Sequence, residues 1–193
     1  MTTKQYDIDC VMPAAGLSSR MGDWKMMLPY KEGTILDISI DNALTFCRRV
    51  ILVAGFNAEQ LIERYQDRAE ILVVTNETYL SGMFSSIQRG VAEVETEHFF
   101  IAHGDLPCLT YHIYEQMWQQ RGDEVVMPIY GDKNGHPVIF PNKWRSVLLS
   151  QPLDSKMKKL VMSSNPTFVT LESAEILHDI DTPDAYQTLL KQR

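Results

Sequence analysis

The chain has 193 residues, with 18 Lys and Arg against 25 Asp and Glu, giving a net charge of −7. That balance excludes a nucleic-acid surface, which needs clustered excess cations, and requires any polyphosphate ligand to be neutralised locally by a few placed cations and a metal, because charges beyond about 8 Å are screened. At 45% hydrophobic and 22% charged residues the composition is that of an ordinary soluble globular protein, and the length suits one α/β domain over 1–193, burying about 70% of its unfolded surface.

The predicted elements alternate in type. A first strand covers 6–12. A helix over 34–46 places Ile35, Leu36, Ala43, Leu44 and Cys47 at helical spacing, and Thr34 with Asp37 forms a capping-box pattern at its start. The all-apolar run 50–54, closed by Gly55, reads as a strand buried on both faces. Helices are predicted over 58–65, 84–94 and 110–120, and strands over 71–75, 99–102, 125–129, 137–140 and near 168–171. One helix is expected in the 144–162 region and a last one from Pro183. This rhythm implies a mostly parallel sheet with helices on both faces. The Gly131-Asp132-Lys133-Asn134-Gly135 turn joins two antiparallel strands in this reading, which makes the sheet mixed.

Cys10, Cys47 and Cys108 are odd in number and lack metal or redox spacing, as expected of buried thiols in a reducing compartment. The first residues lack the apolar core of a signal peptide. No apolar run approaches the roughly 18 residues of a spanning helix. The expectation is a cytoplasmic protein without a membrane partner.

The segment from Ala14 to Lys25, Ala-Ala-Gly-Leu-Ser-Ser-Arg-Met-Gly-Asp-Trp-Lys, follows the first strand. Ligands of open α/β sheets bind beyond the carboxyl ends of the strands. Small residues expose backbone N–H groups there, Arg20 can fork onto phosphate oxygens, and Lys25 can act on them as a point charge. The spacing is neither that of a Walker loop nor the Rossmann glycine fingerprint. The alternative is a surface turn with solvated cations. Asp105 follows the strand at 99–102 and falls on the same sheet edge, where a carboxylate tolerates a triphosphate only with a cation between them. Magnesium suits that place, since it takes one or two carboxylates plus phosphate oxygens; the bland reading is a turn into the next helix. Asp181-Thr182-Pro183 resembles a helix start, with Thr182 as N-cap, and Asp181 can face a metal at the same time.

The pattern Ala14-Ala15-Gly16-x-x-x-Arg20-Met21-Gly22-x-x-Lys25 resembles the signature of the nucleotidyltransferases typified by the molybdenum cofactor cytidylyltransferases and guanylyltransferases. Further blocks follow in the family's order: Asn76-x-x-Tyr79-x-x-Gly82-Met83-x-Ser85-Ser86, Gly104-Asp105-x-Pro107, Gly135-His136-Pro137-Val138 and Asp179-Ile180-Asp181-Thr182-Pro183. The resemblance covers nearly the whole chain. It implies a three-layer, Rossmann-like α/β/α nucleotidyltransferase fold and transfer of a nucleotidyl group from an NTP with Mg²⁺. It makes Arg20 and Lys25 catalytic, and assigns Ala14, Ala15, Gly16, Asn76, Gly82 and Ser86 to the nucleotide. Asp105 and Asp181 become the metal ligands, with Asp179 in reserve, and Gly135, His136 and Pro137 contact the acceptor. His103 is expected to give structural support. Ala-Ala-Gly, rather than Ala-Gly-Gly, implies CTP.

The implied reaction passes CMP from CTP to a phosphorylated acceptor, molybdenum-bound molybdopterin, and releases pyrophosphate; a molybdenum enzyme is the implied downstream partner. One departure bears on the acceptor. Where related cytidylyltransferases carry Gly-Asp-x-Gly-Ala-Arg, this chain has Leu153-Asp154-Ser155-Lys156-Met157-Lys158-Lys159. Its lysines either meet an anionic acceptor or form a solvated helix face. Two other readings stay open: a sugar- or polyol-phosphate cytidylyltransferase, and a non-catalytic carrier of the molybdenum cofactor.

Overall fold

Strand β1 (Tyr6–Pro13) runs through the middle of the molecule because its residues serve two cores at once. In the computed structural model, which describes residues 4–18 and 21–191, Ile8, Cys10 and Met12 point to one face of the sheet and Val11 to the other, all essentially without exposure. Such a strand is buried on both sides and fills both cores with apolar side chains, Asp9 being its one fully buried charge.

Short strands β2 (Pro29–Tyr30) and β3 (Gly33–Thr34) form a small separate hairpin ahead of helix α1 (Ile35–Leu44). The predicted capping box is present: Thr34 Oγ1 accepts from Asp37 N at 3.2 Å, and Asp37 Oδ2 accepts from Thr34 N at 2.8 Å. Then come β4 (Cys47–Ala54), α2 (Ala58–Tyr65), β5 (Ile71–Thr75), α3 (Met83–Val91), β6 (His98–Ile101) and α4 (Tyr111–Gln119). The chain continues through β7 (Val126–Tyr130), β8 (Lys133–Asn134), β9 (Val138–Pro141), α5 (Lys143–Leu149), α6 (Met157–Ser163), β10 (Thr167–Thr170) and α7 (Pro183–Lys191).

Among the described residues the main sheet has eight strands in the order β10-β7-β9-β6-β1-β4-β5, with β8 paired to β7. The β5-β4-β1-β6 half is parallel, as is β7 with β10; β9 is antiparallel to both of its neighbours, β6 and β7. The sheet is therefore mixed, and α/β with three layers: α1, α2 and α4 cover one face, α3, α5 and α6 the other. Helix α7 packs through Leu189 against Ile180, Tyr30 and Ile35, closing the sheet edge that carries the site.

One local expectation changes and another stands with an added short strand. The 144–162 region is two helices, not one, because Pro152 cannot continue α5 and the chain turns before α6 restarts. The Gly131 turn joins β7 to the two-residue strand β8, with pairs Ile129↔Asn134 and Tyr130↔Lys133, and β9 follows separately.

One charged pair is enclosed far from that edge. Asp9 is fully buried in β1 and takes a bidentate pair of bonds from Arg49 on β4 at 2.8 and 3.0 Å, and a third from Glu95 N at 2.9 Å. With three bonds accepted, two of them from a guanidinium, the carboxylate is compensated in a place where an unpaired charge would be costly.

Candidate active site

The chain order places the site. From β1 the chain crosses to β4 and β5 on one side, then returns to β6 on the other side of β1. The carboxyl ends of β1 and its neighbours thus open a crevice at a topological switch point. Ala14 and Ala15 leave β1 still buried, with Ala14 N donating to Val53 O at 2.9 Å and Ala15 O accepting from Phe56 N at 3.2 Å. Gly16 and Leu17 are exposed at the mouth. Ser18 draws the loop back: its Oγ accepts from Lys25 N at 3.2 Å, and its carbonyl accepts from Met21 N at 2.9 Å. Arg20 lies outside the described residues.

Lys25 is the centre of the arrangement. Its Nζ donates to Asp105 Oδ2 and, at 2.6 Å, to Asp181 Oδ1, joining residues 80 and 156 positions away in the chain. Burial alone would lower the Lys25 pKa, but the charges and hydrogen bonds of Asp105 and Asp181 outweigh it and hold the ammonium above its ordinary value. The backbone fixes the two carboxylates together, since Ile180 N donates to Asp105 O at 3.1 Å. Thr182 caps α7 as expected, its Oγ1 accepting from Ala185 N at 3.2 Å, so Asp181 sits on a defined turn. Asp179 stands beside them. Burial and the neighbouring Asp181 and Asp105 charges push its carboxyl above the usual range.

Two cavities meet here. One, of about 350 Å³, runs from the Pro13–Leu17 turn and Lys25 to Tyr79, Gly82, Met83 and Ser86. The other, of about 290 Å³, holds Asp105, Asp179 and Asp181. They share Gly16, Lys25, Met83, His103 and Asp105, so they form one cleft with an apolar arm and an acidic arm. The first arm falls within the size range of small-ligand pockets.

The far wall is built by a buried amide. Asn76 Nδ2 donates to Ser85 Oγ at 2.9 Å and Ser86 Oγ at 3.0 Å, while Oδ1 accepts from Thr78 N and Oγ1 at 3.0 and 2.9 Å. All four bonding positions of the amide are taken, so Asn76 lies beneath the wall and orients Ser86, which does line it. Gly82 turns the chain into α3 with φ +111°, a conformation costly for any residue with a Cβ.

Two histidines exchange the places expected of them. His103, read from sequence as support, lines both arms. His136 stands behind it, ring centroids 4.0 Å apart, with Nδ1 3.3 Å from Ile101 O, and lines neither arm. Gly135 packs where a Cβ would come within 2.5 Å of Ile176 O, and His136 N donates to that carbonyl at 3.0 Å. Gly135, His136 and Pro137 thus form a layer behind the cleft. Burial and the Lys25 charge pull the His103 pKa down to about 4; burial and His103 pull His136 down to about 3. Both rings are neutral at pH 7. The walls contributed by Tyr79, Leu80 and Met83 had no assigned role in sequence. Leu80 and Met83 stand out only in the folded structure, as large apolar side chains 75% and 55% exposed.

The residues fit a divalent cation. Asp105 Oδ1 is buried and has no hydrogen-bond partner among the described residues, although a buried carboxylate oxygen is normally satisfied. Lys25 itself bridges two carboxylates, which is where a cation belongs. Among the described residues no group of three or more His, Cys, Asp or Glu side chains is placed to hold a metal. Two carboxylates with phosphate oxygens completing the shell are the pattern of magnesium sites.

Residues 10–167 match the model of the MobA-like NTP transferase domain. The chain is 43% identical over 181 residues to the molybdenum cofactor cytidylyltransferase of Escherichia coli K12, covering 94% of each. Among solved structures, Rv0371c from Mycobacterium tuberculosis H37Rv superposes with a TM-score of 0.80 at 26% identity, covering 96% of this chain and 99% of that one. A second structure of that protein, in complex with manganese, superposes with a TM-score of 0.76 at 23% identity, covering 97% and 100%. A nucleotidyl transferase from Methanothermobacter gives a TM-score of 0.84 at 20% identity, covering 96% and 97%. The chain belongs to the MobA-like NTP transferase domain family, and it is a nucleotidyltransferase. No helix among its described residues is long and apolar enough to cross a membrane.

Proposed function

We propose that the enzyme transfers CMP from CTP to the phosphate of a molybdenum-bound pterin monophosphate and releases pyrophosphate. The observation that carries this reading is the meeting of Lys25, Asp105 and Asp181 at the mouth of a nucleotide-sized cleft. The choice of CTP and of the pterin is supported by the 43% identity to a protein named for that reaction, and by Ala15 in the turn.

The acceptor brings its own nucleophile, an already deprotonated phosphate oxygen. A bond forms from that oxygen to the α-phosphorus of CTP. The bond from the α-phosphorus to the bridging oxygen of the β-phosphate breaks, and pyrophosphate leaves with the electron pair. No side chain need take a proton, in keeping with the low pKa of His103. The protein's contribution is positioning and charge stabilisation. Backbone amides of the turn after β1, with Gly16 at its mouth, hold the β- and γ-phosphates. Ala14, Ala15, Gly82 and Ser86 receive the nucleoside, and Asn76 keeps Ser86 in place. Asp105 and Asp181 would hold Mg²⁺, with Asp179 as a neighbour. When bound, Mg²⁺ supplies Lewis-acid neutralisation of the triphosphate. Lys25 then leaves the carboxylates for the phosphates, where it and Arg20 offset charge on the α-phosphate and leaving group. Gly135, His136 and Pro137 act on the acceptor side through His103, which they support from behind. Three cysteines without a disulfide support placing the enzyme in the cytoplasm.

The test is pyrophosphate release by the purified protein with CTP and Mg²⁺, comparing the molybdenum-bound pterin with a polyol phosphate. Multiple turnovers with the pterin, lost in Asp105→Ala, are expected. Turnover with the polyol phosphate alone would overturn the acceptor. Stoichiometric binding without turnover would favour a carrier.

A further inference from the structure

A third cavity, of about 220 Å³, runs beside the nucleotide cleft. One wall is the start of α3, with Met83, Phe84 and Ile87; the other is the segment between α5 and α6 together with the first turn of α6, with Leu153, Lys156 and Lys158. A buried side chain ties the walls together: Gln88 Nε2 donates to Leu148 O and Gln151 O, each at 2.8 Å. The segment that departs from the related cytidylyltransferases is therefore held against the helix that opens the nucleotide wall.

Three features make this groove more than a surface fold. Met83 lines it and both arms of the cleft, so a molecule lying in it reaches the acidic arm over one side chain. Its lining is largely apolar, and Leu153 and Met83 are 45% and 55% exposed, which is unfavourable in water unless something covers them. Lastly, Lys156 and Lys158 have no ion-pair partner among the described residues, whereas Lys143 meets Glu124 at 3.3 Å. Asp154 shares the rim, which leaves it net positive on a chain of net charge −7.

We propose that this groove holds the body of the acceptor, a phosphomonoester with an apolar face and a second anionic centre remote from its phosphate. The apolar face lies against Met83 and Leu153. The remote anion meets Lys156 and Lys158, and the phosphate crosses Met83 to Lys25 and Asp105. This assignment rests on the acceptor reading above, in which the molybdenum–dithiolene end of the pterin is the remote anion. A polyol phosphate has no such second centre.

The experiment measures binding of the molybdenum-bound pterin monophosphate by titration calorimetry, with a non-hydrolysable CTP analogue and Mg²⁺ present. In Lys156→Glu/Lys158→Glu the pterin is expected to bind at least tenfold more weakly, with the CTP analogue bound within twofold of wild type. Lys159→Glu, on the same helix but outside the groove, should leave pterin affinity within twofold. Equal pterin affinity in the double variant and wild type would overturn the groove. Failure of wild type to bind the pterin, while it still binds the CTP analogue, would overturn the acceptor reading and this assignment with it.

Discussion

Replacing Lys25 with Met should tighten metal binding while slowing transfer. Lys25 Nζ occupies the position between Asp105 and Asp181, with a 2.6 Å bond to Asp181 and a second to Asp105. Each bond of this charged kind contributes about 1.5–3 kcal/mol, so the two together contribute about 3–6 kcal/mol. Lys25 is only 12% exposed, so solvent screens the pair incompletely. An entering cation must displace the ammonium, which recovers part of that energy in water. A net penalty of about 1.5–3 kcal/mol remains, equivalent to roughly a ten- to hundredfold weakening of metal binding. Lys25→Met keeps the volume and removes the competitor. Titration of Mn²⁺ followed by electron paramagnetic resonance, without nucleotide, should therefore show tighter binding in the variant. Turnover should fall by about 10²–10³, the scale of losing one placed electrostatic group. Unchanged or weaker Mn²⁺ binding in a folded Lys25→Met protein would refute the reasoning.

Arg49→Met should cost about 3–5 kcal/mol of stability, because it leaves Asp9 buried and unpaired; denaturant unfolding reads this as a lower midpoint. The lowered pKa of His136 makes stability depend on pH. The unfolded chain takes up a proton near 6.5 while the folded one stays neutral down to about 3, so this stability is complete above pH 6.5 and is lost as pH falls. One such histidine removes about 2 kcal/mol between pH 6.5 and 5, and His136→Gln should flatten that slope in unfolding curves. Asn76→Ala should leave metal affinity in place but raise the KM for CTP, since Ser85 and Ser86 lose the amide that orients them.

How much could be read in the chain depended on how local each signal was. The capping box of Thr34 and Asp37 is a four-residue pattern, and it folds as written. The turn after β1 follows from one apolar strand ending in small residues. Pro152 already marked the division of α5 from α6, but helical spacing on both sides of it masked the break. The position of β9 between β6 and β7 was not legible, because an apolar strand buried on both faces carries no mark of its neighbours. The same holds for the histidines: which of His103 and His136 reaches the cleft depends on Ile176 and Ile101, remote in sequence from one or both. Asp105 and Asp181 could be paired only through the family's motif order, since 76 residues separate them; the bond from Ile180 N to Asp105 O is what brings them together.

The most direct measurement is a crystal structure with CTP and Mn²⁺ bound, read by the anomalous signal of the metal. The expected result is one ion about 2.1 Å from a carboxylate oxygen of both Asp105 and Asp181, on the triphosphate, with Lys25 moved onto the phosphates. An ion elsewhere, or Lys25 still seated between the two carboxylates with CTP in place, would contradict it.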